Sequence, residues 1–223
     1  MAPIFVNGKV LVGISGGEFE KRGFVAAYDA RTGKMLWRFY TAPGPGYVGH
    51  SSWAGHWWFT GGATVWSSIE VDRRLGLLYI HTGNASPDFN GSQRAGNNLF
   101  SVSLVALDLR TGRYRWHFQE VHHDIWDYDS AQPAQLFTLV RGNRQIPVIA
   151  HANKDGFFFI LDRRNGKPEY PVTEVPVSTV PAWQHPSPTQ PESSIVLIPQ
   201  KVTDPPPGFE PRRSSLRHTD NRC

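Results

Sequence analysis

The residues best equipped for chemistry sit together near the middle of the chain, in His122-His123-Asp124-Ile125-Trp126-Asp127-Tyr128-Asp129. Three carboxylates, two imidazoles and two large aromatics share this short stretch. In an extended segment, alternation puts Asp127 and Asp129 on one face and Trp126 and Tyr128 on the other. Two carboxylates on one face repel each other. Either both point into water, as in a solvated acidic loop, or a positive group stands between them. A cation with oxygen ligands would satisfy the second arrangement. These residues alone leave both readings open.

Further candidates lie in loops beside short apolar runs: Ser15-Gly16-Gly17-Glu18, Gly61-Gly62-Ala63-Thr64-Val65-Trp66, His81-Thr82-Gly83-Asn84 and Ala152-Asn153-Lys154-Asp155-Gly156. Glycine pairs let a backbone turn sharply and come close to a ligand. The carboxylates of Glu18, Asp127 and Asp129 and the amide oxygen of Asn84 would make an all-oxygen shell for a hard cation such as Ca²⁺. Trp66 offers a flat face to a planar ligand, and Lys154 a cation to its oxygens.

Such residues converge only if the intervening elements bring them together. Composition points to many short strands: among 223 residues there are Gly 21, Pro 18 and Trp 8, with 39% hydrophobic and 19% charged. Ile4-Phe5-Val6 and Val10-Leu11-Val12 flank the turn Asn7-Gly8 and read as a hairpin. Phe24 to Asp29, Arg31-Thr32-Gly33-Lys34 and Met35 to Phe39 make another. It repeats as Leu104 to Asp108, Arg110-Thr111-Gly112-Arg113 and Tyr114 to Phe118. A weaker copy runs from Phe158 to Lys167, and one turned differently from Ser68 to Ile80. The pattern Asp-x-x-Thr-Gly-x-x-x-Trp occurs twice, at Asp29 to Trp37 and Asp108 to Trp116. Repeated hairpins of one type indicate radially repeated β-sheets, which an ordinary sandwich would not require. Helical periodicity is nearly absent.

The prolines from Pro171 onward predict an irregular stretch lying on the body. Residues 1–190 are therefore read as several blades of one all-β propeller, and residues 191–223 as a Pro-rich segment ending in a disordered tail over 212–223. The net charge of +4 is scattered until that tail, which argues against nucleic acid. The only cysteine is Cys223, so no intrachain disulfide or CxxC motif exists. No apolar run reaches the ~18–20 residues of a membrane span. The opening Met-Ala-Pro-Ile-Phe-Val reads as a strand entered in mid-fold rather than a signal peptide, as expected of a piece of a longer chain.

The combined motifs, from about Val6 to about Gln190, resemble the pyrroloquinoline-quinone-dependent (quinoprotein) alcohol and sugar dehydrogenases. That resemblance implies an eight-bladed β-propeller tied by tryptophan-docking motifs, here a partial one. Ser15, Gly16 and Gly17 resemble the loop that holds the quinone's carboxylates, Thr64 a further carboxylate contact, and Trp66 the tryptophan on which the quinone stacks. Glu18 and Asn84 resemble metal ligands. Asp127 resembles the catalytic base beside the metal, and Lys154 the cation on the quinone's reactive oxygens. Asp129 stands where lanthanide-dependent relatives carry an additional metal-binding aspartate and calcium-type methanol dehydrogenases a small neutral residue. The implied reaction oxidises an alcohol or aldose to the carbonyl, with hydride passing to the quinone and electrons leaving to a cytochrome c or membrane quinone. The implied location is the periplasm or a periplasm-facing membrane.

The other polar groups have plainer readings. Asp29, Asp72, Asp108 and Asp162 precede turns and read as turn aspartates; Trp37 and Trp116 read as structural, His122 and His123 as hydrogen-bonded supports, and Asp124 as an acceptor for turn donors. Trp53, Trp57 and Trp58 could border a substrate entrance or pack a blade. Glu20, Lys21 and Arg22 read as a solvated loop. The family's adjacent cysteine pair and active-site arginine have no counterpart here. A non-catalytic propeller scaffold is the rival reading, although a scaffold has no use for Glu18, Asn84, Asp127 and Lys154 together.

Overall fold

Short apolar runs between glycine-bearing turns become strands, and little else does. The structure is a computed structural model that describes residues 1–197. A first antiparallel sheet contains β1 (Ile4–Val6), β2 (Lys9–Gly13), β3 (Phe24–Asp29) and β4 (Met35–Tyr40), in that order. A second contains β5 (Ile69–Asp72), β6 (Leu77–His81), β7 (Ser103–Asp108) and β8 (Tyr114–Gln119). A third contains β9 (Gln135–Arg141), β10 (Arg144–Ala152) and β11 (Phe158–Asp162). Its fourth position shrinks to the single bridge between Leu161 and Pro168, because proline cannot donate to a ladder. Among the described residues there is no α-helix, only four short 3₁₀ turns. The partial β-propeller expected from the hairpin repeats is the fold observed.

The middle blade is buried on both faces, and the period-two rule sorts its side chains. Leu78, Ile80, Val105 and Leu107 pack with Leu11, Val25 and Ala27 of the first blade. Leu77, Tyr79, Leu104 and Ala106 pack with Ile149, Phe159 and Leu161 of the third. Every residue of β6 is buried. Tryptophans lock the seams. Ideal Cβ atoms at Gly112 and Gly166 would fall 2.5 Å from ring carbons of Trp37 and Trp116 respectively. Both glycines also have positive φ, +69° and +75°. The turn glycine of one blade is therefore the seat for the tryptophan of the blade before it.

Turn aspartates behave as read. Asp29 accepts the Thr32 amide at 2.7 Å and hydroxyl at 2.8 Å, and Asp108 repeats this with Thr111 at 2.9 and 2.8 Å. Trp53 packs between Ala42 and Ala85, with Trp57 and Trp58 against that cluster, and donates its indole N–H to the Leu99 carbonyl. For Trp53, packing wins over the entrance reading.

Two expectations need correcting. Arg22 is no solvated side chain: its guanidinium lies 3.8 Å from the Tyr40 ring centroid and 4.6 Å from that of Trp58, and donates to the Ala42 carbonyl. The stretch from Pro171 is not irregular throughout either. β12 (Val172–Pro176) and β13 (Thr189–Ser193) pair antiparallel, and Phe158 then donates to the Ile195 carbonyl. Prolines are tolerated there because a two-stranded ribbon has free edges where a missing N–H costs nothing. The expected boundary after residue 190 thus falls inside β13. The tail over 212–223 lies outside the described residues.

Candidate active site

The loops beyond the strand ends meet through their backbones. Ala63 donates to the Asn84 carbonyl at 2.7 Å, and Gly83 to the Thr64 carbonyl at 2.8 Å. Gly62 has φ +66°, and a Cβ there would lie 2.8 Å from the Asn84 carbonyl oxygen and the Ser86 nitrogen. Only glycine allows that approach. An ideal Cβ on Gly17 would sit 3.4 Å from Thr64 Oγ1, so the loop from Ser15 rests on the same seam.

Asp129 is the hub. It is buried, and its Oδ1 accepts the backbone N–H of Asn84 at 2.8 Å and the Trp66 indole N–H at 3.4 Å. Its Oδ2 accepts Lys154 Nζ at 2.9 Å. Lys154 Nζ also donates to the Asp127 carbonyl at 2.8 Å and lies 3.5 Å from Asp127 Oδ2. A Cβ on Gly83 would meet Asp129 Oδ1 at 2.7 Å, so this glycine keeps the carboxylate's path open. The two carboxylates do share a positive neighbour, as one branch of the sequence argument required. They reach it through a left-handed Asp127, φ +62°, rather than an extended strand. Trp126 and Tyr128 stack with centroids 5.8 Å apart.

Charge follows from this geometry. Burial raises the Asp127 carboxyl above its ordinary range, and the neighbouring Asp129 raises it further against the pull of Lys154. Burial alone would lower the Lys154 ammonium, but its bond to Asp129 and the two negative charges push it up. Asp124 accepts the Trp126 and Tyr128 amides, each at 2.9 Å, and burial pushes its carboxyl up to about 6. It pins the turn that gives Asp127 its conformation. His123 is a support, with its ring nitrogens 2.6 Å from the Gly96 and 2.7 Å from the Gln184 carbonyl oxygens.

Gly17, Thr64, Trp66, Asn84, Asp127, Asp129 and Lys154 thus come together. Ser15 and Gly16 share the loop but make no hydrogen bond to the others among the described residues, and Glu18 is exposed with no hydrogen-bond partner there. Burial raises the Asp88 carboxyl, and the negative charges of Glu18 and Asp129 raise it further against the Asn84 hydrogen bond. Among the described residues no three Asp, Glu, His or Cys side chains alone form a metal-holding group. The donor chemistry nonetheless fits a hard cation: carboxylates from Glu18 and Asp127, and an Asn84 Oδ1 that accepts no hydrogen bond from any described residue. Asp129, by contrast, spends both oxygens on protein donors. Trp66 is 37% exposed and shares Asp129 with the Lys154 ammonium, which suits a flat anionic ligand.

Three features escaped the sequence. Asp88 accepts Asn84 Nδ2 at 2.5 Å; an acid four residues after a candidate ligand was the available signal. Arg94 is fully buried and donates to the carbonyls of Pro87 at 3.0 Å, Asp88 at 3.2 Å and Asp124 at 2.6 Å, joining two site loops. Nothing in its neighbourhood on the chain announces that. Near the ends of β6 and β10, the rings of His81 and His151 stack 4.6 Å apart, flanked by Glu70 and Glu120 at 2.6 Å each. Each histidine lies three residues before a site residue, Asn84 or Lys154.

Residues 1–213 match the family model described as "PQQ: Glucose/ethanol/alcohol dehydrogenase, beta-propeller domain". The quinohemoprotein alcohol dehydrogenase of Comamonas testosteroni is 43% identical over 180 residues, covering 74% of this chain and 25% of that protein. The quinoprotein alcohol dehydrogenase PedH of Pseudomonas putida is 37% identical over 182 residues, covering 74% of this chain and 30% of that one. The chain therefore spans about a quarter of such relatives. Among solved structures, a europium-containing methanol dehydrogenase aligns with a TM-score of 0.69 at 36% identity, over 74% of this chain and 32% of its own. The Comamonas testosteroni enzyme aligns at 0.71 and 38%, over 86% and 30%. With this sequence match spanning nearly its whole length, and blades that superpose on those structures, the chain belongs to the PQQ-dependent glucose, ethanol and alcohol dehydrogenase family, as part of its β-propeller domain.

Proposed function

We propose that this chain supplies one wall of the active site of a quinoprotein dehydrogenase that oxidises an alcohol to its carbonyl product. The observation that carries the reading is the convergence on Asp129 of Trp66, Asn84 and Lys154, with Asp127 on the same ammonium. Relatives named as alcohol dehydrogenases support the substrate class. Pyrroloquinoline quinone, when bound, supplies a two-electron acceptor for the substrate hydrogen. Trp66 and Thr64 would hold it with the loop from Ser15 to Gly17, and Glu18, Asn84 and Asp127 would hold its companion cation.

Asp127 takes the alcohol proton. Its raised carboxyl suits a general base, since a stronger base accepts a proton more readily provided it is ionised at working pH. Lys154 keeps Asp127 aimed through the bond to its carbonyl and offers charge to an oxygen that becomes negative. The cation would be Ca²⁺ or a lanthanide; the europium-containing neighbour supports the latter. Electrons pass to a haem or quinone acceptor in the periplasm. Relatives named quinohemoprotein and quinone-type alcohol dehydrogenase support the acceptor classes; family resemblance alone supports the compartment.

The test is reconstitution of the full-length protein with pyrroloquinoline quinone and either Ca²⁺ or La³⁺, followed by dye reduction with ethanol and other primary alcohols. Asp127→Asn should retain the quinone absorbance and lose turnover by at least ~100-fold. Quinone uptake without oxidation of any alcohol, or full turnover by Asp127→Asn, would sink the reading.

A further inference from the structure

An amide makes a metal ligand only when its oxygen faces the ion, and an asparagine side chain can rotate to present nitrogen instead. In this chain the choice is made by a neighbour. Asn84 Nδ2 donates to Asp88 Oδ1 at 2.5 Å and to the Ala85 carbonyl at 3.3 Å. The reversed amide would set Asn84 Oδ1 against a carboxylate oxygen, two acceptors with no proton between them. The observed orientation leaves Asn84 Oδ1 without a donor among the described residues. Asp88 is itself held in place: Arg94, fully buried, donates to its carbonyl and to that of Pro87, and the same guanidinium grips the Asp124 carbonyl at the turn before Asp127.

We propose that Asp88 is a positioning residue that fixes the Asn84 amide with its oxygen toward the cation, as partners behind a metal ligand do elsewhere. This rests on the reading of Asn84 as a cation ligand. Three other roles are open to a carboxylate at this place, and none predicts the same set of outcomes as orientation of Asn84. Asp88 could bind the cation directly or supply long-range negative charge, or it could merely stabilise its loop.

The experiment measures Tb³⁺ uptake by the full-length, quinone-loaded protein, by equilibrium dialysis and sensitised emission, without reference to turnover. Asp88→Ala should weaken Tb³⁺ binding about 10- to 100-fold, the usual effect of removing such a partner. Asp88→Asn keeps an acceptor oxygen for Asn84 Nδ2 and should stay within about threefold of the parent. The decisive background is Asn84→Asp. A carboxylate has two equivalent oxygens and needs no orienting, and Asp88 now repels it, so adding Asp88→Ala should leave Tb³⁺ affinity unchanged or raise it. Equal losses in Asp88→Ala and Asp88→Asn would overturn the proposal in favour of charge or direct ligation. The same loss from Asp88→Ala with and without Asn84→Asp would overturn it in favour of loop stability, and no loss in Asp88→Ala overturns it outright. If the parent protein itself takes up no Tb³⁺, the reading of the cation site fails first and takes this inference with it.

Discussion

Replacing Gly166 by alanine should cost far more than the same change at Gly76, although both residues have positive φ, +75° and +66°. At Gly76 an added Cβ meets nothing within 4 Å among the described residues. The cost there is the left-handed backbone alone, about 1 kcal/mol. At Gly166 the Cβ would fall 2.5 Å from one ring carbon of Trp116 and 2.9 Å from another. The indole cannot easily retreat. It is buried, donates Nε1 to the Arg163 carbonyl at 3.2 Å, and lies 5.8 Å from the Tyr79 ring. Overpacking of this kind adds about 1–3 kcal/mol, so Gly166→Ala should cost about 3 kcal/mol in all. Gly112→Ala should fall between, because Trp37 is only half-buried and its indole nitrogen has no partner among the described residues to hold it. Urea unfolding of the full-length protein, followed by fluorescence with a common m-value, reads these differences. Trp116→Ala provides the cycle: in that background the excess at Gly166 over Gly76 should vanish. If Gly166→Ala costs no more than Gly76→Ala, or the excess survives removal of Trp116, the docking account is wrong.

The buried histidine pair should make stability depend on pH. Burial lowers His151, but the charge and hydrogen bond of Glu120 raise it further, so it stays above its ordinary value while burial and His151 push His81 down. Stability from His151 is therefore present below about pH 6.5 and lost as pH rises through its raised value. Glu120→Gln should cost about 3 kcal/mol at pH 6 and progressively less toward pH 9; a pH-independent cost by urea titration would contradict this. Asp124→Asn can accept only one of the Trp126 and Tyr128 amides, which should cost about 1–3 kcal/mol and lower turnover through the Asp127 turn. Because Asp124 is held at about 6, its protonated form favours folding and that contribution fades as pH rises from about 4 to 6, a slope Asp124→Asn should abolish in urea midpoints. Lys154→Met removes the cation that lowers Asp127, so the acid limb of the kcat/KM profile should move to higher pH.

Much of the fold was legible in the chain because it depends on local rules. Aspartate before a turn, glycine at its left-handed position and tryptophan on the return strand are each set by contacts within a few residues, and repetition turned them into blades. Most candidate ligands were legible for the same reason, since they sit where strands end. The prolines after Pro171 misled because proline excludes only positions that need an N–H, and the sequence does not say which edges of a ribbon are free.

The strand-and-turn alphabet, and the chemical types available near the strand ends, were therefore written in the order of residues. Tertiary structure alone decided which of them meet. Asp129 became the hub, rather than one more acid in a crowded loop, because Asn84, Trp66 and Lys154 arrive on it from other loops across 45, 63 and 25 residues. Arg94 gave no local sign of its role because the groups through which it joins the two loops are backbone carbonyls, which every residue carries and no sequence pattern marks. Asp88 and the stacked His81 and His151 are likewise defined by orientation and packing across loops and blade seams, where long-range geometry rather than residue type decides.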